Sequence, residues 1–316
     1  TIILITHKLN EIKQAADFCT ILRKGQMIKT VKVSEVTTEE MAEMMVGRKL
    51  STELIREAYQ PGKVALSIQD LSIQGKTKHI LNHISFELRE GEILAVAGID
   101  GNGQTELVQA ITGLMHADSG SIQLNGNDVT HAPVRRRYEL GMAHVPEDRQ
   151  RHGLVLDFNL AYNLFLQEYY KPEFQSKGFL KFDQIYDHAE KLIEKFDIRS
   201  AAGRKTVTRS MSGGNQQKAI IAREITREHN VMIAVQPTRG LDVGAVEYIH
   251  KQLLKERDEQ KAILLVSLEL DEILDLSSVN LKKVKSTRTN WVFTCQAQSE
   301  GTNNGKVSEI RGYSKS

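Results

Sequence analysis

A glycine-rich loop between a strand-like run and a helical pattern constrains the fold of this chain more than any other feature. The apolar run Ile93–Ala97 leads into the loop, and a helical pattern follows over residues 106–111. The loop fits the phosphate-binding pattern G-x-x-x-x-G-K-[ST] at every fixed position except Gln104, where the pattern has lysine. Such a loop wraps backbone N–H groups around phosphate at a helix N-terminus. The loop residues expected to hold nucleotide are Gly98, Asp100, Gly101, Asn102, Gly103, Gln104 and Thr105.

Gln104 changes what this loop is expected to do. Lysine places a positive charge on the β- and γ-phosphate oxygens, whereas glutamine supplies only a neutral donor. Thr105 keeps the hydroxyl that would ligate Mg²⁺ in such a loop. The loop is therefore predicted to hold nucleotide, with a reduced capacity to hydrolyse it.

Composition places the chain among globular proteins. Its 316 residues are 40% apolar and 26% charged, and no apolar run approaches the ~18–20 residues that cross a bilayer. Cys19 and Cys295 lie far apart with no metal-ligand spacing, which favours reduced cytosolic thiols. The net charge is +2, but residues 278–316 carry an excess of basic side chains, so the rest of the chain is acidic. This distribution argues against a nucleic-acid-binding body, and we expect no nucleic-acid partner.

An internal repeat divides the chain. Residues 3–12 resemble residues 264–273, which lie 261 positions later, and each copy is an apolar strand-like run followed by the start of an amphipathic helix. A period this long indicates two copies of one domain rather than a solenoid. Because Thr1 already lies within the apolar run, we expect a fragment in which only the C-terminal end of the first copy is present.

Four regions follow from the repeat. Residues 1–50 are interpreted as the remnant of the first domain, 51–63 as a linker, and 64–277 as the second domain. Strands and helices alternate through the second domain, which predicts an α/β fold with a largely parallel sheet. Residues 278–316 do not continue the repeat and have little periodicity, so we expect a disordered or frame-shifted tail.

A second helix N-terminus with small residues lies downstream of the loop. Ser212, Gly213 and Gly214 precede a polar helical stretch over residues 216–224. The plain interpretation is a turn in which Ser212 caps the helix. Such an N-terminus is also able to face phosphate. With Met211 before it, this stretch looks like the signature motif of ABC-transporter ATPases.

The resemblance extends to the segment that follows. The apolar run Val231–Val235 and residues 236–242 are similar to that family's Walker B strand and D-loop. The likeness covers residues 64–277 as a nearly complete domain and 1–50 as the end of a preceding one. It implies a P-loop NTPase fold, an ABC-type nucleotide-binding domain with a mixed, largely parallel sheet and a helical subdomain, that uses ATP and Mg²⁺.

Several positions depart from the family pattern. Val235 stands where the family has the aspartate that holds Mg²⁺, and Gln236 stands where it has the glutamate that polarises water. The repeat aligns Leu268 with His7, the position of the family's switch histidine, and the Q-loop position carries Glu147. Phosphoryl transfer depends on such charged groups, and loss of one preorganised donor costs ~10²–10³ in rate. We therefore expect the site headed by Gln104 to bind nucleotide, with Glu147 beside it, and to be catalytically inert.

The family's arrangement gives the second domain another role. ATP lies between the phosphate loop of one domain and the signature of the other, so Ser212, Gly213 and Gly214 are expected to complete a hydrolysing site on the first domain. His7 is the expected switch residue of that first domain, and Thr105 is a weak candidate metal ligand. The enzyme class implied is an ABC-type ATPase, and we expect the fragment alone to be inactive.

The kind of transporter is indicated by likeness alone. Residues 146–154 resemble the ATPase subunits of bacterial sugar and nucleoside importers, and residues 157–163 and 178–180 look closer to the purine-nucleoside branch. The resemblance implies membrane permease subunits and, indirectly, an extracellular solute-binding lipoprotein as partners. It also implies a peripheral position on the cytoplasmic face of the bacterial plasma membrane.

Alternatives stay open at this point. A sugar importer, or a non-catalytic regulatory nucleotide-binding module, also fits the residues. A soluble tandem ATPase acting on ribosomes or DNA fits less well, because Val235 and Gln236 replace the expected acids. The aromatic-rich segment 162–182 suits core packing and permease docking equally. The triplet Arg135, Arg136 and Arg137 is interpreted as a solvated helix face.

Overall fold

The computed structural model describes residues 1–6, 8–23, 25–48, 62–75, 79–98, 101–276, 281–284 and 292–295. In these ranges the α-helices are α1 Leu9–Ala15, α2 Thr38–Val46, α3 Gln104–Thr112, α4 Val134–Glu139, α5 Leu160–Phe165, α6 Phe182–Lys195, α7 Gly213–Thr226, α8 Val243–Asp258 and α9 Leu270–Leu276. The strands are β1 Phe18–Arg23, β2 Gln26–Lys32, β3 Val64–Gln74, β4 His79–Arg89, β5 Ile93–Ala97, β6 Ser119–Leu124, β7 Asn127–Asp128, β8 Met142–Val145, β9 Gln175–Ser176, β10 Phe179–Leu180, β11 Val231–Val235, β12 Ala262–Ser267, β13 Leu281–Val284 and β14 Val292–Cys295.

A central six-stranded sheet has the strand order β13-β14-β5-β12-β11-β8. Strands β5, β12, β11 and β8 are parallel, and β14 joins antiparallel to β5. The residues of β11 and β12 are buried throughout, as expected for parallel strands covered on both faces. The carboxyl ends of parallel strands meet at one edge, so the segments after β5, β8, β11 and β12 are brought together there.

Two further layers flank this sheet. Strands β4, β3, β6 and β7 form an antiparallel sheet whose apolar face shares a core with β5 and α3. Helices α5, α6 and α7 enclose a separate apolar cluster around Leu164, Phe174 and Ile185. The result is the mixed, largely parallel sheet and helical subdomain that the sequence predicts.

The aromatic segment after α5 is divided between core and surface. Phe165 and Phe174 are buried in the helical cluster, whereas the side chains of Tyr169, Phe179 and Phe182 are exposed, Phe179 at 80%. Core packing therefore explains Phe165 and Phe174, and in part Tyr162, which packs against the same cluster. The exposed aromatic side chains lie outside that core and leave a surface to be explained.

Arg137 corrects the interpretation of the arginine triplet. Arg135 and Arg136 are exposed and pair with Glu139, but Arg137 is only 2% exposed. Its guanidinium donates to the carbonyls of Ala110 and Ile111 at 2.7 and 2.6 Å, and to two more carbonyls before α4. Three consecutive helical residues point in different directions, so one of them faces inward and holds the C-terminal end of α3.

Residues 8–48 form a small unit of their own. Strands β1 and β2 pair antiparallel and pack on α2 through Ile21, Val31 and Met41. Helix α2 begins with a capping box, in which the Thr37 hydroxyl accepts from the Glu40 backbone N–H and the Glu40 carboxylate accepts from the Thr37 N–H. Local sequence therefore determines where this helix starts.

The predicted strand at the start of the first copy is wrong for this chain. Residues 1–6 form no strand, and the side chains of Ile2, Ile3 and Ile5 are 86–95% exposed. Their counterparts in β12 are buried between β5 and β11. Among the residues described, no strand lies beside 1–6 to accept its backbone hydrogen bonds, and a single extended segment has no sheet to join.

Within the predicted tail, β13 and β14 pair antiparallel. The remainder of residues 278–316 lies outside the described residues, as do the predicted linker residues 51–61. The division into domains, including the origin of the tail, stays a prediction. In the part of the chain that the structure describes, no helix is long and apolar enough to cross a membrane.

Candidate nucleotide-binding site

The glycine loop follows β5 and ends at the N-terminus of α3. Gly101 and Gly103 have φ values of 83° and 96°, a region that side chains other than glycine rarely adopt. A Cβ on Gly103 would also lie 3.0 Å from the Ile80 carbonyl oxygen. These glycines are therefore required by the turn, which directs the first N–H groups of α3 towards the loop. Asp100 lies outside the described residues.

Gln104 is folded into the loop. The residue is 7% exposed, and its side-chain amide lies directly over Gly98, so that a Cβ on Gly98 would overlap it. The amide thus lies against the Gly98 backbone and brings no charge there. The structure places Gln104 against Gly98, so the described part of the glycine loop contacts a neutral side chain.

A cleft of about 590 Å³ opens beside α3. Its lining includes Thr105 from α3, Glu147 from the segment after β8, and Val235 and Arg239 from the end of β11 and the loop beyond it. The structure therefore brings together three of the positions singled out from the sequence. Val235, where the family pattern has an acid, is 4% exposed and belongs to the apolar core beneath the cleft.

Glu147, Gln236 and Arg239 form a hydrogen-bonded cluster at this edge. The Gln236 side-chain amide donates to Glu147 Oε1 at 2.8 Å, and Arg239 Nη1 donates to the same oxygen at 2.7 Å. Gln236 has a φ of 44°, a left-handed conformation that costs of order 1 kcal/mol for such a residue. Glu147 thus brings a carboxylate to the Q-loop position, and Gln236 brings an amide to the position at which the family pattern has a glutamate.

The donor set does not suit a dedicated Mg²⁺ site. Mg²⁺ is usually held by one or two carboxylates together with substrate phosphates. Here the strand position is Val235, and the Glu147 carboxylate already pairs with the Arg239 guanidinium, which repels a divalent cation. Thr105 supplies a hydroxyl alone. Among the described residues, no group of three or more His, Cys, Asp and Glu side chains is arranged to hold a metal.

Leu268 follows β12 at the same edge. Its side chain is 40% exposed and carries no group that donates to phosphate. The turn that presents it is built by Ser267, whose buried hydroxyl accepts from the Glu269 N–H at 3.0 Å. The counterpart in the first copy, His7, lies outside the described residues, but the Thr6 hydroxyl accepts from the Lys8 N–H at 3.1 Å in the same manner.

The signature stretch begins α7. Ser212 is exposed in extended conformation before the helix, and its hydroxyl accepts from Asn215 Nδ2 at 2.9 Å. Arg149 lies over Gly213 and donates to the Arg239 carbonyl at 2.8 Å. The first turn of α7 therefore faces outward, beside the loop that carries Arg239.

Helix α7 also holds the segment that carries Glu147. The fully buried Glu224 carboxylate accepts from the His144 backbone N–H at 3.2 Å and pairs with Arg223 and Arg227. Burial by itself would raise the pKa of Glu224, but the two guanidinium groups hold it below its ordinary value. Beside it, burial lowers the pKa of His144 to about 4, so this imidazole is neutral near pH 7.

Arg149 and Arg239 were not singled out from the sequence. Each lies within a motif that was, three residues or fewer from Glu147 and Gln236, but a lone arginine in a loop has many solvated alternatives. Only their contacts with the site, which the structure shows, distinguish Arg149 and Arg239 from solvated arginines. Arg239 neutralises Glu147, and Arg149 links the loop after β11 to the start of α7.

These features define a class of protein. A glycine loop between a parallel strand and a helix, at the carboxyl edge of the sheet, is the arrangement of P-loop nucleotide-binding proteins. Residues 81–239 match the family model described as ABC transporter. The chain therefore belongs to the ABC transporter family, which confirms the resemblance found in its motifs.

Solved structures agree on the fold. A nucleotide-free ATP-binding cassette from an ABC transporter superimposes with a TM-score of 0.57, at 18% identity over 68% of this chain and 86% of that one. An identity this low establishes the fold alone. The superposition confirms the predicted P-loop NTPase fold.

Curated relatives are more similar in sequence. The nucleoside import ATP-binding protein NupA of Lactococcus lactis is 53% identical over 278 residues, which are 88% of this chain and 55% of that protein. The guanosine import ATP-binding protein NupO of Bacillus subtilis is 47% identical over 83% of this chain and 51% of its own length. The glucose import ATP-binding protein TsgD13 of Haloferax volcanii is 39% identical, with coverage of 88% and 51%. The chain spans about half the length of these relatives.

Proposed function

We propose that this chain is part of the ATP-binding, energy-coupling subunit of a nucleoside importer. Its phosphate loop holds ATP without hydrolysing it. Its signature residues Ser212, Gly213 and Gly214 complete a hydrolysing site on a first domain, of which residues 1–50 are the C-terminal end and His7 the switch residue. ATP is the nucleotide at both sites, and Mg²⁺ acts chiefly at the first.

The observation that carries the proposal is a contrast between two helix N-termini. Helix α7 begins at an exposed cap residue, Ser212, followed by the half-buried Gly213 and Gly214, and these small residues suit a phosphate group brought to the helix N–H groups from outside this domain. The start of α3 faces a cleft in which the Glu147 carboxylate is engaged by Arg239 and Gln236. One helix is suited to catalysis in trans, and the other is suited to binding.

The inert site follows from charge. Hydrolysis needs a cation on the γ-phosphate, a bound metal and a group that orients water. At these positions the chain has neutral Gln104, apolar Val235, neutral Gln236 and apolar Leu268. The loop N–H groups still attract phosphate, but they do not replace several charged groups at once.

Nucleoside import is supported by NupA and NupO, whose names state nucleoside and guanosine import. The solute itself would never reach this domain. Its partners would be membrane permease subunits, and through them an extracellular solute-binding lipoprotein, at the cytoplasmic face of the membrane. The exposed aromatic side chains of Tyr169, Phe179 and Phe182 offer an apolar surface of the kind that such permease subunits would cover.

A sugar importer is the second candidate, because TsgD13 is also similar over most of the chain. Its lower identity, 39% against 53%, places it behind the nucleoside assignment. A regulatory nucleotide-binding module is the third. It would share the inert site but would have no use for the open signature at α7.

The first experiment uses this chain. Titration with a fluorescent ATP analogue should show saturable binding, and a phosphate-release assay on the same preparation should show no turnover above background. Turnover that persists in the Gly103→Asp variant would be a contaminant. Turnover that this variant abolishes would contradict the inert site.

The second experiment places residues 62–276 of this chain in NupA, in exchange for the matching segment. With the NupA permease partners, the chimaera should hydrolyse ATP and support uptake of labelled nucleoside. A chimaera that hydrolyses ATP without nucleoside uptake would contradict the nucleoside assignment. A chimaera that folds and binds ATP but does not hydrolyse it would contradict the signature role.

A further inference from the structure

The two copies of the internal repeat meet each other in the structure. Helix α1 covers Leu9–Ala15 and helix α9 covers Leu270–Leu276, so both ends of the two helices differ by the repeat period. Each helix follows a turn in which a hydroxyl, of Thr6 or Ser267, accepts the N–H two residues later. The repeat is therefore a repeat of structure as well as of sequence.

The contacts between the copies join equivalent residues. Lys8 Nζ donates to Glu269 Oε1 at 3.0 Å, and Asn10 Nδ2 lies 3.5 Å from Asp271 Oδ2. In both pairs the partners are 261 positions apart, which is the repeat period. Contacts between equivalent residues are expected where a two-fold axis that relates the copies passes between them. The two pairs therefore point to a local pseudo-two-fold axis between Lys8 and Glu269.

The charges at this axis differ between the copies. Lys8 is basic and Asn10 neutral in the first, whereas Glu269 and Asp271 are both acidic in the second. The carboxylate of Glu269 raises the pKa of Lys8 through their hydrogen bond and their charges. In a pair of identical copies the same positions would face themselves. Two second-type copies would place Glu269 against Glu269 and Asp271 against Asp271, and two first-type copies would place Lys8 against Lys8.

We propose that this axial pair selects the partner of the domain: the acidic axis of the second copy accepts a basic first-type copy and rejects a second copy of itself. Like charges in direct contact at an axis disfavour the wrong pairing, and opposite charges favour the right one. The inference does not depend on which site hydrolyses ATP or on which solute is carried. It rests on the interpretation of residues 1–50 as the end of a first domain.

A second contact between the copies lies away from the axis. Arg48 Nη2 donates to Glu247 Oε2 at 2.7 Å, and the Val46 side chain packs beside Gly244 at the start of α8. This contact holds the first copy against α8 without any relation to the repeat period. Because this contact does not involve Lys8 or Glu269, it should keep the two copies adjacent when the charges of the axial pair are reversed.

The test measures how often positions 10 and 271 lie in contact across the axis in the intact chain. Cys19→Ser and Cys295→Ser remove the native thiols, and Asn10→Cys with Asp271→Cys then places two thiols across the axis. The yield of the intramolecular disulfide under mild oxidation, read from the linked peptide by mass spectrometry, is the measured quantity. Variants with one introduced cysteine serve as blanks.

Charge reversal within this background reproduces the rejected pairings. Lys8→Glu places acid against acid, as two second-type copies would, and Glu269→Lys places base against base. Each should lower the yield about threefold relative to the parent, since exposed pairs are worth little individually. The double reversal should restore it, and Lys8→Met should give an intermediate yield. High salt should bring all of these closer together.

The control variant Arg48→Ala loses a contact between the copies without a charge pattern at the axis. Its yield should fall equally in the parent and in the double reversal. The proposal is overturned if no disulfide forms in the parent, if single reversals leave the yield unchanged, or if the double reversal does not recover it. A purely structural role of Lys8 would give no such recovery.

Discussion

Helices α3 and α7 both begin at small residues that the sequence predicts to face phosphate, but they are held in opposite ways. The first residue of α3, Gln104, is buried against its own loop, and the other end of α3 is held by the buried Arg137. The cap of α7, Ser212, is exposed, and the interior of the helix is anchored through Glu224. One N-terminus is closed on itself, whereas the other is open.

This difference is the physical basis of the proposed separation of binding from catalysis within one domain. A closed, neutral turn still offers backbone N–H groups to a phosphate, but it brings no charge to a reaction. An exposed N-terminus on a rigidly anchored helix is suited to a nucleotide carried by another domain. The altered residues lie beside α3, and the retained small residues lie on α7.

The largest effect should come from closing the open N-terminus. In the NupA chimaera, Gly214→Asp should lower the ATPase rate by about a thousandfold, because a carboxylate there repels the phosphate that α7 would face. A Cβ on Gly214 lies at an ordinary contact distance, 3.4 Å from Ala245 Cβ, so the domain should still fold. Gly214→Ala is the matched control and should retain most of the activity. Equal losses in both variants would mean a packing defect instead.

The next effect tests the other end of α3. Arg137→Met should lower the free energy of unfolding by about 3 kcal/mol in urea titrations, because it leaves buried carbonyls of α3 without a charged donor. Arg136→Met, one residue away and exposed, should change it by less than about 0.5 kcal/mol. A small loss at Arg137 would show that α3 does not need this anchor.

A smaller effect should follow from restoring charge in the closed turn. Gln104→Lys should tighten ATP binding about tenfold, since a charged donor replaces a neutral one. Turnover should remain at background, because Val235, Gln236 and Leu268 are unchanged. Gln104→Met, similar in length and uncharged, should not tighten binding. Appreciable hydrolysis by the lysine variant alone would refute the explanation by several missing groups.

The smallest effect concerns His144, which lies between the two helices. Its folded-state pKa of about 4 is below its ordinary value of 6.5, so the unfolded chain binds more protons in that interval. As the pH falls from about 6.5 to 4, the free energy of unfolding should therefore decrease more in the wild-type chain than in the His144→Gln variant. Urea titrations of both at several pH values give the difference. Glu224 is present in both proteins, and its own effect on the stability is confined to pH values below its ordinary pKa of 4.5. A constant difference would place the His144 ring in solvent.

Much of the fold was predictable because its signals are local. The capping pair Thr37 and Glu40 sets the start of α2, and the apolar runs of β5 and β11 lie within the predicted bounds. Arg137 was not predictable, because three adjacent arginines carry the same signal and only packing tells which one faces inward. The same holds for Arg239, whose partner Glu147 is 92 positions away.

By itself the sequence determined the glycine loop, the small-residue start of α7 and the membership of the ABC transporter family, because each depends on residue types at short spacing. Only the tertiary structure decided that β12 lies between β5 and β11, since the order of parallel strands depends on how distant segments pack. Only it placed Lys8 against Glu269, because contact across a pseudo-two-fold axis depends on how two distant segments pack.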